Sequence, residues 1–206
     1  MEQITMFEGH PEQQHAKQYS TVARFIGSHN LSAQDRQEHD YYATEPVAAE
    51  WLLKLERIGP SVWEPACGEG HLSKVMEAHG LKVRSTDLID RGYGIGGVDF
   101  LQQQEKWPGD IVTNPPYKYA LDFIQHALEI TEDGALICMF LKVQFLEGKQ
   151  RKTFFENTPP RTVWVSSSRI QCAQNGNFER CSSMLAQAWY VWEKGYKGST
   201  TIRWFN

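Results

Sequence analysis

The chain has 206 residues, of which 41% are hydrophobic, and a formal net charge of −4. This length suits one domain with a sizeable core, and the hydrophobic content excludes disorder over the whole chain. No apolar run of the signal-peptide type and no stretch of about 18 uncharged apolar residues occurs, so we expect neither export nor a transmembrane helix.

The first 39 residues are polar and show no clear period, so residues 1–39 are interpreted as a partly ordered extension and residues 40–206 as the domain. A helix is predicted from Pro46, because apolar residues recur at helical spacing until Gly59-Pro60 ends it. Thr44 is placed to cap this helix at its N-terminus.

Strands and helices alternate over the rest of the chain. Strands are predicted at 62–64, 81–86, 98–100, 111–113, 135–143, 162–166 and 184–192, and helices at 71–79, 120–130 and 150–157. Such alternation is typical of a mostly parallel sheet covered on both faces. We therefore expect a single Rossmann-like, doubly wound α/β domain with a seven-stranded sheet, in which the last two strands pair as an antiparallel edge hairpin.

Two short motifs follow strands of this predicted sheet. Glu-Pro-Ala-Cys-Gly-Glu-Gly at 64–70 joins a strand to a helix, and its glycines let the backbone turn sharply and approach a ligand closely. It is not a dinucleotide-binding loop, because Ser73 stands where the third glycine would be. Asn-Pro-Pro-Tyr at 114–117 brings together an amide, two rigid prolines and an aromatic ring. Since ligands bind at the carboxyl ends of such strands, the two motifs predict a cofactor pocket beside a site for a planar amine.

With Asp-Tyr-Tyr-Ala-Thr-Glu-Pro at 40–46, these motifs resemble the S-adenosylmethionine-dependent amino-methyltransferases, and most closely the small phage- or prophage-type adenine-N6 DNA methyltransferases. The resemblance covers the chain from about Asp40 to its C-terminus. It implies S-adenosylmethionine as the cofactor and methyl transfer to the exocyclic N6 amine of adenine in DNA. The Asn-Pro-Pro-Tyr motif is specific for methylation of a planar nitrogen but does not fix which one.

Acidic residues at the ends of three predicted strands are placed to hold this cofactor. Glu64 is expected to pair with its ammonium group, Asp87 with its ribose hydroxyls and Asp99 with its adenine amine. The other cofactor contacts that the resemblance implies are Thr44, Pro46, Ala66, Cys67, Gly68, Leu88, Phe100 and Asn114.

An exocyclic amine is a poor nucleophile, because its lone pair is delocalised into the ring. Two acceptors can localise that pair towards the methyl carbon, and we expect the side-chain carbonyl of Asn114 and the backbone carbonyl of Pro115 to accept one N–H each. Pro115 and Pro116 make this segment rigid, and Tyr117 offers a ring on which the base stacks. Proximity then supplies much of the rate, without a general base of shifted pKa.

Charge is distributed unevenly along the chain. Residues 141–206 carry ten Lys and Arg against four acids, which gives +6, so the total of −4 leaves −10 for residues 1–140. We expect the basic part to face phosphates, above all through Lys149, Arg151 and Lys152, with Lys142, Arg169 and Arg180 as further candidates. A base inside a duplex cannot reach such a pocket, so the adenine must be flipped out, and the resemblance implies Phe178 as its second stacking wall.

Several alternatives stay open at this point. The same fold could methylate RNA adenine or a protein glutamine side chain, although the glycine-rich loop and N-terminal helical domain usual in glutamine methyltransferases do not occur here. A degenerate subunit could bind nucleic acid or a partner without catalysis, although intact Glu64, Asp87, Asn114 and Tyr117 argue against it. No large target-recognition region follows residue 117, so sequence specificity would come from short loops, the extension, a homodimer mate or a specificity partner.

Four cysteines lack the CxxC spacing, and seven histidines are scattered along the chain without cysteines at metal-binding spacing. We therefore expect reduced thiols in a cytoplasmic protein and no bound metal ion.

Overall fold

The computed structural model describes residues 41–174 and 185–206, and the predicted boundary at residues 39/40 lies outside them. Within these ranges we number nine strands in chain order: β1 (Tyr42–Thr44), β2 (Ser61–Glu64), β3 (Lys82–Ser85), β4 (Asp110–Thr113), β5 (Leu136–Lys142), β6 (Thr162–Ser166), β7 (Cys172–Gln174), β8 (Gln187–Glu193) and β9 (Thr201–Phe205). The α-helices in the same ranges are α1 (Val47–Leu55), α2 (His71–Ala78), α3 (Ala120–Ile130) and α4 (Lys149–Asn157). Short 3-10 helices lie at Phe100–Gln102, Tyr117–Tyr119 and Val143–Leu146. No helix of the described residues is long and apolar enough to cross a membrane.

Seven of the strands form one sheet in the spatial order β3-β2-β4-β5-β8-β6-β9. β8 is antiparallel to both of its neighbours, and every other neighbouring pair in this sheet is parallel. The predicted fold class, a mostly parallel seven-stranded sheet with an antiparallel hairpin of late strands, is thereby confirmed. β9 was not predicted, and it pairs with the outer side of β6. The antiparallel pair of β6 and β8 therefore lies inside the sheet, and not at its edge where the sequence placed it.

The central strands are apolar because helices pack on both faces of the sheet. In β5, Ile137 and Met139 belong to a core formed with α3, whereas Cys138 and Phe140 belong to a second core formed with α1 and α2. All four side chains are completely buried. The continuous apolar run of β5 therefore reflects burial on both sides, as expected for a doubly wound sheet.

The segment before α1 forms an element that the sequence does not predict. Residues 42–44 pair in antiparallel register with Cys172–Gln174, so β1 and β7 make a separate two-stranded sheet. The prediction that Thr44 caps the following helix is wrong, because α1 begins after Pro46 without a side-chain cap. The Thr44 hydroxyl instead accepts a hydrogen bond from Asn114, 2.8 Å away.

The predicted strand at 98–100 is also wrong. Asp99 has an extended backbone, but its side chain accepts a hydrogen bond from the backbone N–H of Leu101 at 3.0 Å and caps a 3-10 helix that begins at Phe100. A carboxylate that bonds to the chain two residues later favours a turn over a strand.

The topology fixes where a ligand can bind. β2 lies between β3 and β4, so the chain crosses from one side of β2 to the other after β3. A crevice opens at the carboxyl ends of the strands where the crossover direction changes. Both sequence motifs lie at this place, since residues 64–70 follow β2 and residues 114–117 follow β4.

Candidate active site

The loop after β2 is built for close approach of its backbone to another group. Gly68 and Gly70 have φ angles of 54° and 79°, which lie in the left-handed region that favours glycine. A Cβ atom on Gly68 would lie only 2.3 Å from Cε2 of Tyr41. The loop is tied to the end of β3 by a hydrogen bond from the Cys67 N–H to the Thr86 carbonyl, at 3.0 Å. No larger residue fits at position 68 without rearrangement.

The side chain of Asp87, which follows β3, stabilises this loop. Its side chain accepts hydrogen bonds from the N–H groups of Gly68 and Ile89, at 2.8 and 2.9 Å, one on each carboxylate oxygen. Each oxygen keeps a lone pair, because a carboxylate offers about four acceptor sites. Asp87 therefore holds the loop in place, and its role towards ribose hydroxyls stays a prediction.

Glu64 ends β2 and is 2% exposed. It accepts a hydrogen bond from the hydroxyl of Ser73 on α2, and that hydroxyl lies 2.6 Å from the hydroxyl of Ser85. Burial raises the pKa of the Glu64 carboxyl to about 8, although the bond from Ser73 opposes this shift. The side chain is therefore mostly protonated at pH 7 in the free protein, and a cation placed beside it would favour its ionisation.

The third predicted acid lies further along the same edge. Asp99 is half-buried, but the ring of the adjacent Phe100 is 2% exposed and contacts Trp63 and Phe123, with ring centroids 5.2 and 4.9 Å away. Phe100 thus belongs to the core, and its contact with a cofactor stays a prediction. Leu88, by contrast, is 51% exposed beside Asp87.

Asn114 is the residue of the Asn-Pro-Pro-Tyr motif with the most informative surroundings. Its Nδ2 donates to the carbonyl oxygen of Tyr42 at 3.1 Å and to the hydroxyl oxygen of Thr44 at 2.8 Å. Because a carbonyl oxygen can only accept, these contacts fix which side of the amide is nitrogen. The other atom, Oδ1, is buried and makes no hydrogen bond to any described residue. An unsatisfied buried acceptor costs about 1–3 kcal/mol, so a hydrogen bond from the N–H group of a ligand would be favourable at this atom.

Tyr117 lies in an aromatic and cationic setting. Its ring is tilted by 35° against that of Tyr42, with centroids 5.7 Å apart, and Nζ of Lys142 lies 4.2 Å from its ring centroid. Pro115 is buried and Pro116 is half-buried between Asn114 and this ring. The motif therefore combines a fixed amide oxygen with a ring that already carries π and cation–π contacts.

The predicted phosphate contacts divide into two kinds. Lys149 and Lys152 are exposed on α4, which follows the carboxyl end of β5 after one short 3-10 helix. Arg151 is half-buried, and its guanidinium donates to the backbone carbonyls of Phe145 and Glu147. Arg151 thus stabilises the turn before α4, whereas the two lysines are exposed, and Nζ of Lys152 lies 3.6 Å from the carboxylate of Glu156.

Phe178 lies outside the described residues, so its role as the second stacking wall for the base stays a prediction.

The remaining residues predicted to contact the cofactor differ in exposure. Pro46 is exposed, while Ala66 and Cys67 lie in the loop after β2. Burial raises the pKa of the Cys67 thiol to about 12, so this thiol is not a nucleophile at neutral pH. The described residues contain no group of three or more His, Cys, Asp or Glu side chains that could hold a metal ion.

Sequence reasoning missed two residues at the site, Tyr42 and Ser73, and considered Lys142 only as a phosphate contact. Tyr42 lies within the motif at 40–46, but the contacts of its ring and its carbonyl were overlooked. Ser73 contacts Glu64 from α2 and Lys142 contacts the ring of Tyr117 from the end of β5, and no local pattern identifies these contacts.

No family model matches the chain, and no curated protein matches it. Several solved structures, however, match the chain. A putative class I S-adenosylmethionine-dependent methyltransferase from Listeria monocytogenes superposes with a TM-score of 0.55 at 12% identity, over 91% of this chain and 71% of that one. The chain shares the class I S-adenosylmethionine-dependent methyltransferase fold.

Two further structures support this assignment of the fold. A modification subunit of a putative type I restriction enzyme from Vibrio vulnificus has a TM-score of 0.55 at 16% identity, and the match covers 95% of this chain but 52% of that one. A putative RNA methyltransferase from Pyrococcus horikoshii has a TM-score of 0.57 at 14% identity, over 85% and 98% of the two chains. The chain spans about half the length of the Vibrio subunit. At these identities the similarity establishes the fold and leaves the reaction to be inferred from the site.

Proposed function

We propose that this protein is an S-adenosylmethionine-dependent methyltransferase that methylates the exocyclic N6 amine of adenine in DNA. The observation that carries the proposal is Oδ1 of Asn114, a buried acceptor in a fixed orientation without a partner among the described residues. Asn114 follows the carboxyl end of β4, and Tyr117 comes three residues later in the same motif. An amine next to a flat aromatic ring satisfies both groups at once.

The residues present fit the proposed cofactor, which supplies an electrophilic methyl group when it is bound. Gly68 lets the backbone approach it, and Asp87 keeps lone pairs for hydroxyl groups beside that backbone. Glu64 is a buried carboxyl at the same strand edge that a cation would ionise. Asp99 and Leu88 complete the set of residues proposed to hold the cofactor, with Thr44 and Pro46 before α1.

The chemistry that the chain itself performs is to orient the amine. Oδ1 of Asn114 accepts one N–H of the amine, and the backbone carbonyl of Pro115 accepts the other. These two bonds draw the nitrogen lone pair out of the ring and aim it at the donor, while the proline pair keeps the second carbonyl rigid. As the methyl carbon exchanged its bond to the sulfonium sulfur for a bond to the amine nitrogen, the nitrogen would take on the positive charge that the sulfur loses, and both oxygens would stabilise that charge until a proton leaves.

Adenine in a nucleic acid suits this site better than a protein amide. Tyr117 offers a ring for stacking, and Tyr42 and Lys142 surround that ring with a second aromatic ring and a positive charge. Stacking on such a surface is available to every base, and a purine covers more of the ring than the small amide of a glutamine side chain. The exposed Lys149 and Lys152 on α4 add charge for a phosphate backbone.

The proposal is tested by incubating the protein with labelled S-adenosylmethionine and separate DNA, RNA and protein pools, followed by nucleoside and amino-acid analysis. We expect label in N6-methyladenine from DNA. Label only in RNA nucleosides or in methylglutamine would replace the proposed substrate, and label in no pool would contradict the proposed activity.

A matched set of variants tests the role of Asn114. Asn114→Ala removes Oδ1, so turnover is expected to fall by about 10²–10³-fold while cofactor affinity stays nearly constant. Thr44→Val is the control, because it removes one of the two contacts of Nδ2 and keeps Oδ1. Since Thr44 is also proposed to hold the cofactor, the turnover of both variants is compared at saturating S-adenosylmethionine. Equal losses in the two variants would mean that Asn114 acts by anchoring β1 and not by orienting the amine.

A further inference from the structure

β9 forms one edge of the seven-stranded sheet and carries exposed apolar side chains. Trp204 is 66% exposed and Ile202 is 47% exposed. Residues at alternate positions of a strand lie on the same face, so these two side chains form one apolar strip, continuous with their neighbours Val163 and Val165 on β6. Among the described residues, no strand pairs with the outer side of β9.

The backbone of the same two residues also points away from the sheet. The N–H of Thr201 donates to the Arg161 carbonyl, and the carbonyl of Phe205 accepts from the N–H of Ser167, both at 3.0 Å. Residues 201 and 205 thus direct their backbone groups inward, to β6 and its flanking residues. Because N–H and C=O of one residue point to the same side of a strand, and successive residues alternate, Ile202 and Trp204 direct theirs outward.

The strand at the opposite edge of the sheet, β3, carries more charge than β9. β3 has Lys82 and Arg84 among its four residues, and charged side chains are a common device against pairing between edges. The charge of β9 is Arg203, whose guanidinium lies on the other face, with its central carbon 5.4 Å from the ring centroid of Trp164. The apolar strip of Ile202 and Trp204 is therefore uncharged, and the one charge of β9 is held over Trp164 of β6.

We propose that β9 pairs antiparallel with β9 of a second copy of this chain, which extends the sheet across a two-fold axis. This register is centred on Arg203, so the two Arg203 residues are directly opposed, which is unfavourable for like charges; each guanidinium, however, lies over Trp164 of its own chain, on the face opposite the apolar strip. In this register Ile202 lies opposite Trp204 of the second copy, on the same face, and both pairs exchange their outward N–H and C=O groups. An interface of this kind uses one patch on both copies, which is the usual symmetry of soluble dimers.

The first experiment measures association by analytical ultracentrifugation from about 1 to 100 μM. We expect a reversible dimer, with a dissociation constant raised at least tenfold by Trp204→Lys. Ile202→Pro should have the same effect and keep the fold, because the N–H it removes faces outward and edge strands tolerate proline there. Leu146→Lys is the control, since Leu146 is an exposed apolar residue on another element, 39% exposed, and its loss should leave association unchanged.

A cysteine cross-link tests the register itself. Arg203→Cys places two thiols at a directly opposed pair without hydrogen bonds, where Cα atoms are about 4.5 Å apart and a disulfide fits. Thr201→Cys is the control, because position 201 lies opposite 205 in this register. We expect an oxidised dimer from Arg203→Cys in excess of the parent and of Thr201→Cys. A monomeric parent at 100 μM, or a dimer that survives both β9 substitutions, would overturn the proposal.

Discussion

Replacing Glu64 with glutamine is expected to change how the stability of the protein depends on pH. In the folded chain the pKa of this carboxyl is about 8, against an ordinary value of 4.5. Between these pH values the folded protein keeps a proton that the unfolded chain has released. The free energy of unfolding of the parent therefore falls as the pH rises through this window. The glutamine in Glu64→Gln does not titrate, so the free energy of unfolding of this variant lacks that pH dependence.

The size of the effect follows from the shift in pKa. One pKa unit corresponds to about 1.36 kcal/mol, so the parent is expected to lose about 3 kcal/mol relative to Glu64→Gln between pH 5 and pH 8. Urea denaturation followed by circular dichroism at pH 5, 6.5 and 8 measures this difference. All other titrating groups are common to both proteins and cancel. Parallel profiles for the two proteins would refute the reasoning, because they would mean that Glu64 ionises normally in the folded state.

If Glu64 pairs with the ammonium group of the cofactor, the affinity of the protein for the cofactor depends on pH. Binding must then expel the proton, so affinity for S-adenosylmethionine should rise by about 50-fold from pH 6 to pH 8 in the parent and remain nearly constant in Glu64→Gln. Calorimetry in buffers of different ionisation enthalpy measures the released proton directly. The amino group of the ligand titrates equally in both experiments, so the difference between the proteins isolates Glu64.

Asp87→Ala is expected to weaken S-adenosylmethionine binding in calorimetry by roughly 1.5–3 kcal/mol, because it removes a charged hydrogen-bond acceptor; unchanged affinity would reject Asp87 as the ribose ligand. Replacing Lys149 and Lys152 with alanine, while Arg151 is kept for its contacts within the turn, should weaken DNA binding for all sequences and flatten the salt dependence in fluorescence anisotropy by about 0.9 log unit per lost phosphate contact. If DNA affinity does not change, the binding surface lies elsewhere. Phe178→Ala should reduce turnover but keep the salt dependence, since stacking is worth about 1–3 kcal/mol per base and carries no charge; full turnover would make Phe178 an ordinary packing residue.

The parallel half of the sheet was predictable from sequence because its signals are local. β2 and β4 are short apolar runs that end at motifs with unusual residues, and both motifs meet where the crossover direction changes. β9 also carries a signal, the alternation of Thr-Ile-Arg-Trp-Phe, which is typical of a strand with one apolar face. No strand was predicted at 201–205 because this alternation of polar and apolar residues was overlooked.

Other features could not be predicted because distant residues determine them. The β1–β7 sheet consists of strands of three residues, too short for a period, and joins segments more than 100 residues apart. Local reasoning predicted that Thr44 caps a helix, whereas its hydroxyl accepts a hydrogen bond from Asn114, 70 positions later in the chain. The raised pKa of Glu64 likewise depends on burial beneath α2, which no property of residues 64–70 reveals.

The position of β8 also affects the synthesis of the chain. β8 lies between β5 and β6, although it follows both of them in sequence. At about 5–20 residues per second, a ribosome needs about 2–9 s to pass from Lys142 to Gln187. During this interval β5, with six apolar residues in succession, has an unpaired edge that can bind other chains. Until β8 has been translated, which requires about nine tenths of the chain, the nascent protein therefore exposes a strand edge that favours aggregation.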